Sequence, residues 1–173
     1  VTEVDETFKK SEFDEIKLID LIEFRVFSPS SVIVLKKCFE EVGNFDETLR
    51  SVEDLDMWLR IVSKFRILKV CAPLTGMRVH PTSMSTKADT MLENHQQVLK
   101  KAFQSIPELQ KHKRWKQIAE ARMYISISWM RFCSGDRIGA VKDICRSIRS
   151  CFFPLREKSG RKEYFLRVKL LFR

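Results

Sequence analysis

Ser51-Val52-Glu53-Asp54-Leu55-Asp56-Met57-Trp58-Leu59-Arg60 packs three carboxylates into four positions, ahead of apolar residues at helical spacing. Leu55, Trp58, Leu59 and Val62 recur at the intervals of an amphipathic helix, so the spacing predicts a helix from about Val52 to Lys64 with an acidic first turn. Two readings compete for the carboxylates. One is structural: Ser51 and Asp54 stand at capping-box spacing, with Asp in place of the usual Glu or Gln, and acidic side chains in a first turn favour the helix dipole. The other is a catalytic base at the mouth of an active site. Asp54 and Asp56 would point about 200° apart on a helix and cannot face one site, whereas Glu53 and Asp54 diverge by about 100° and can both border a cleft at the helix N-terminus.

Upstream of this helix, Ile22-Glu23-Phe24-Arg25-Val26-Phe27 alternates as a strand would, Ser28-Pro29-Ser30-Ser31 breaks it, and Val32-Ile33-Val34-Leu35 reads as a short buried strand. Lys36 to Val42 predicts a short helix with Gly43 as a left-handed C-terminal cap, and Asn44 to Glu47 a turn. Downstream, Phe65–Val70 and Leu74–His80 read as two strands. Beyond Thr86 the texture becomes helical, near residues 87–106, 112–134 and 137–150, with Gly135 ending one helix and Asp136 capping the next. The expected fold is therefore an α/β fragment over residues 1–86, followed by an all-α region over 87–150 and a basic tail over 151–173. Ala119, Tyr124, Gly135, Asp136 and Ala140 resemble a single helical hairpin of tetratricopeptide type, a repeat that needs stacked neighbours to bury its faces.

The 44% hydrophobic and 32% charged shares of the 173 residues are those of a soluble globular protein, and no apolar run approaches the roughly 18 residues of a membrane span. The chain starts at Val1 without the pattern of a signal peptide, which points to a piece of a longer protein. Five cysteines in an odd count, without a C-x-x-C pair, suggest buried free thiols in a reducing compartment rather than a disulfide framework or zinc site. Charge is unevenly spread. Residues 1–86 carry 12 basic and 15 acidic side chains, and residues 87–173 carry 20 and 8, which together give the net +9. The basic half suits a phosphate-bearing or anionic partner. It has no finger, ribbon or RNA-binding signature, so nucleic acid is not expected. In the tail, Tyr164, Phe165, Val168, Leu171 and Phe172 fall on one side of a helix and Arg167, Lys169 and Arg173 elsewhere, as in a helix lying on an anionic membrane surface or one packed against the protein.

The neighbours of the acidic helix tip the balance. Val42-Gly43-Asn44-Phe45-Asp46-Glu47 precedes it, Trp58-Leu59-Arg60 completes it, and Met77-Arg78-Val79-His80 follows, with Ser83 and Ser85 beyond. With the serine-rich turn and apolar run at residues 28–35, this order resembles the C-terminal half of a family 2 glycosyltransferase with the GT-A fold, over about residues 28–86. The resemblance implies an inverting transfer of sugar from a nucleotide-sugar donor to a glycan or glycolipid acceptor. Asp54 would be the general base on the acceptor hydroxyl, and Glu53 would border the acceptor site or orient its loop. Asp56 is expected to face solvent or a structural partner, and Arg60 to act as a structural ion-pair donor. Arg78 would contact the donor diphosphate or brace the acidic cluster. His80 is a metal ligand or a loop histidine. The family's divalent cofactor, Mn²⁺ or Mg²⁺, would be held mostly by a donor-binding half with an Asp-x-Asp motif. The only such string here, Asp54-Leu55-Asp56, lies in the later helix, so the expectation is a chain without that half, inactive alone, from a cytoplasmic enzyme peripheral to the membrane. The alternative is a noncatalytic helical interaction module carrying a degenerate transferase remnant.

Overall fold

The computed structural model describes residues 13–24, 27–72, 74, 76, 87–152, 155–156 and 162–163. They are mostly helical. In chain order the elements are β1 (Phe13–Ile16), α1 (Leu18–Phe24), a 3-10 turn at Pro29–Ser31, α2 (Lys36–Val42), α3 (Glu53–Val62), β2 (Ile67–Val70), α4 (Ala88–Ser105), α5 (Pro107–Lys111), α6 (Lys113–Cys133), α7 (Arg137–Ser150), β3 (Leu155–Arg156) and β4 (Lys162–Glu163). The strands form two antiparallel pairs, β1 with β2, placing Phe13 opposite Val70 and Ile16 opposite Ile67, and β3 with β4.

The acidic stretch folds as its periodicity predicts. Leu55, Met57, Trp58, Leu59 and Ile61 are buried, and they join Leu18, Leu21 and Ile22 of α1 and Val98, Leu99 and Ala102 of α4 in one core that reaches Ala119, Met123 and Ile127 of α6. The core therefore runs continuously across the change of texture near residue 86. Truncating a side chain buried as fully as Leu59 costs about 2–5 kcal/mol, because the cavity left behind adds to the lost transfer energy.

Four local expectations are corrected. Ile22 to Phe24 ends a helix rather than forming a strand, because Leu18, Leu21 and Ile22 share the buried face that an i, i+3, i+4 spacing creates. Val32 to Leu35 is not a strand. Val32 and Val34 lean on the core, while Ile33 and Leu35 are 102% and 74% exposed, and no strand pairs with them among the described residues. The capping box does not form: Val52 is the N-cap of α3, no side chain caps it, and Ser51 meets Asn94 instead. In the tail, Lys162 and Glu163 lie in β4 rather than in a helix, and residues 164–173 lie outside the described residues. The cysteines divide: Cys38 and Cys151 are buried free thiols as expected, whereas Cys71, Cys133 and Cys145 are exposed.

The helical back forms much as anticipated, except that Pro107 starts a separate short helix between the first two predicted ones. Gly135 adopts φ +88°, and Asp136 caps α7 by accepting from the Gly139 N–H at 2.8 Å. The α6–α7 hairpin is closed by buried polar contacts. Ser147 Oγ donates to the Ala121 carbonyl at 2.8 Å. Arg131 of α6 bonds Asp143 of α7 at 2.9 Å, Asp136 at 3.0 Å, and Asp89 of α4. The hydrogen bond that Arg131 donates to Asp89 leads in raising the Arg131 pKa above its ordinary range, against the opposing effect of burial. Among the described residues, no helix is long and apolar enough to cross a membrane.

Candidate functional site

The site is the N-terminus of α3 and the loop that precedes α3. Glu53 and Asp54 occupy the first turn and are both half-buried. Asp56, two residues on, turns inward and is 4% exposed. The two aspartates thus part as the helical angle requires, and only the Glu53–Asp54 pair faces outward. An Asp54 oxygen accepts from the backbone N–H of Leu55 at 2.8 Å, which helps orient the carboxylate at the helix mouth.

Asp56 is consumed by structure. One of its oxygens receives Arg60 Nη2 at 2.7 Å and Nε at 2.9 Å, and the other receives Lys101 Nζ of α4 at 3.0 Å. Arg60 reaches further, donating to the carbonyls of Val42, Gly43 and Asn44. The planar guanidinium can fork in this way where an ammonium cannot. It ties the loop at residues 42–44 to the underside of α3. Gly43 suits that loop because its φ of +82° is one that L side chains rarely adopt. Lys101 also binds Asp46 at 2.9 Å, so one ammonium joins the loop, α3 and α4. Burial works against the Lys101 charge, but the hydrogen bonds it donates to Asp46 and Asp56 hold its pKa above the ordinary value. Hydrogen bonds from Thr48 and then Lys101 hold the Asp46 carboxyl down to about 2.

Two more contacts set the helix entry. Val52 sits at φ 56°, ψ 19°, a left-handed conformation unfavourable for a β-branched residue, and its buried side chain holds it there. Asn94 of α4 lies 2.9 Å from the N–H groups of Arg50 and Ser51 and 3.1 Å from Ser51 Oγ. These surrounding donors require its amide oxygen, rather than its nitrogen, to face them. Asn94 thereby fixes the chain just ahead of α3 by its backbone, whereas the first turn of α3 has no side-chain cap. Trp58 packs below, with Phe27 and Phe45 at ring separations of 5.5 and 6.3 Å.

Of the residues singled out from sequence, Glu53 and Asp54 come together as expected, and Asp56 and Arg60 are a structural pair. Arg78 and His80 lie outside the described residues. Sequence reading missed Lys101 and Asn94 because both act from a helix more than 40 residues downstream. Asp46 was visible as part of the turn, though without a role.

The described residues do not fit a divalent cation. Among them no three His, Cys, Asp or Glu side chains gather as ligands, and both oxygens of Asp56 are already engaged by cations. Comparison with family models, curated proteins and solved structures returns no match.

Proposed function

We propose that this chain contributes the acceptor side of a GT-A-type glycosyltransferase, with Asp54 as the general base. The observation that carries the reading is the division of labour within the acidic cluster. Asp56 is locked inward by Arg60 and Lys101, while Glu53 and Asp54 are held outward at a braced helix N-terminus. A sugar hydroxyl is a weak nucleophile. A carboxylate within hydrogen-bond reach accepts its proton as the oxygen attacks the anomeric carbon, and such assistance contributes about 10²–10⁴-fold to rate. A single displacement of this kind inverts the anomeric centre, with the nucleoside diphosphate leaving from the opposite face. Glu53 borders the acceptor. The acceptor class in this reading is a surface glycan or a glycolipid.

A second reading keeps a specific observation of its own. The α6–α7 hairpin, sealed by Ser147 and Arg131, has the build of a protein-interaction repeat, which would suit a noncatalytic helical module. Incubating the full-length protein that contains this chain with a panel of nucleotide-sugars and glycan or glycolipid acceptors separates the two. Transfer with inversion at the anomeric carbon, read by NMR, supports the enzyme. Absence of transfer across the panel favours the module.

A further inference from the structure

We propose that the outer face of α7 docks the protein on an anionic lipid surface, an inference that stands apart from the proposed catalysis. At 100° per residue, Ile138, Val141, Lys142, Cys145 and Arg149 fall within an arc of about 100° on this helix. All five are exposed, Ile138 at 73%, while Ala140, Asp143, Ile144 and Ser147 on the other side are buried. Phe152, just past the helix end, is 82% exposed and extends the apolar surface.

The charge on the helix is one-signed where it meets solvent. Its exposed ionised side chains are Arg137, Lys142, Arg146 and Arg149, and its only acid, Asp143, is buried beneath Arg131 and Arg146. Cations interleaved with solvent-facing aliphatic side chains match an interface that offers anionic headgroups above and acyl chains below. A nucleic-acid surface would complement the cations but leave Ile138 and Val141 against phosphate and water, so the apolar half of the pattern decides for lipid.

The test is co-sedimentation of the full chain with vesicles of phosphatidylcholine alone and of equal parts phosphatidylcholine and phosphatidylserine. The expected result is binding to the anionic vesicles only, weakened by salt. Lys142→Gln with Arg149→Gln should lower partitioning on the order of thirtyfold, given the contribution of each basic residue near an anionic surface. Ile138→Ser with Val141→Ser should lower it as well, with circular dichroism of both variants unchanged. Equal binding to neutral vesicles overturns the proposal. So does binding that both double variants leave intact, which would move the contact to another surface. Binding of single-stranded RNA in place of vesicles, insensitive to the serine variants, also overturns it.

Discussion

Arg60 grips Asp56 one helical turn away through two nitrogens, Nη2 at 2.7 Å and Nε at 2.9 Å from the same carboxylate oxygen. Because Asp56 is buried and the half-buried Arg60 also holds the carbonyls of residues 42–44, the pair acts as a pin between α3 and the loop before it. Asp56→Ala would take the shared carboxylate from Arg60 and Lys101, both partly open to water, and is expected to cost about 1–3 kcal/mol. Arg60→Lys keeps the charge but loses the fork, and should cost about 1 kcal/mol, since Gly43 and Asn44 are exposed and only the Val42 carbonyl lies in a half-buried place. Urea unfolding of both variants checks this, and midpoints equal to wild type would show that the pin carries no load.

The loop's other anchor titrates. Asp46 is held down to about 2 in the folded protein, from an ordinary value of 3.8, first by the hydrogen bond from Thr48 and then by Lys101. Between those values the unfolded chain binds more protons than the folded one, so stability rises with pH there. The contribution is complete above about pH 4 and fades as pH falls toward 2. Asp46→Asn should therefore lose stability near neutral pH and flatten the acid limb. A variant with the same acid slope as wild type would contradict the assignment.

Gly43 offers a conformational test. An added Cβ would lie 3.8 Å from Arg60 Nη1, an ordinary contact, so any penalty comes from the backbone at φ +82°. Gly43→Ala should cost about 1–3 kcal/mol, read as a lowered denaturant midpoint, because φ +82° with ψ 176° is a conformation essentially confined to glycine and not the left-handed helical cap. An unchanged midpoint would mean that the loop relaxes to negative φ at no cost.

Much of this arrangement was legible in the sequence, for reasons that are local. The apolar spacing of Leu55, Trp58 and Leu59 marks α3, and Gly135-Asp136 marks the turn between α6 and α7, since cap and period both lie within a few residues. Val32–Leu35 shows where locality fails. A continuous apolar run suits a strand, but a strand also needs a partner, and nothing within the run reports whether one exists. Ser51 fails in the same way. Its spacing to Asp54 fits a cap, yet its hydroxyl is taken by Asn94 from across the core. The same distance hid Lys101, whose pairing with Asp46 and Asp56 exists only after α4 has packed on α3.

The buried polar seam of the hairpin predicts a further sensitivity. Arg131→Met removes the partner of Asp143, which is fully buried and retains only Arg146, and of Asp89 and Asp136. The expected loss is about 3–5 kcal/mol. Hydrogen exchange should show it concentrated in α6 and α7. Uniform loss across α3 as well would mean that the hairpin does not open as a unit.

In the proposed transferase, Asp54 carries the chemistry and Asp56 the structure. The most direct measurement compares sugar transfer and thermal stability for Asp54→Asn in the full-length protein. Transfer is expected to fall by about 10²–10⁴-fold, with an unfolding midpoint indistinguishable from wild type. Transfer within a few-fold of wild type, at an unchanged midpoint, would contradict that role for Asp54.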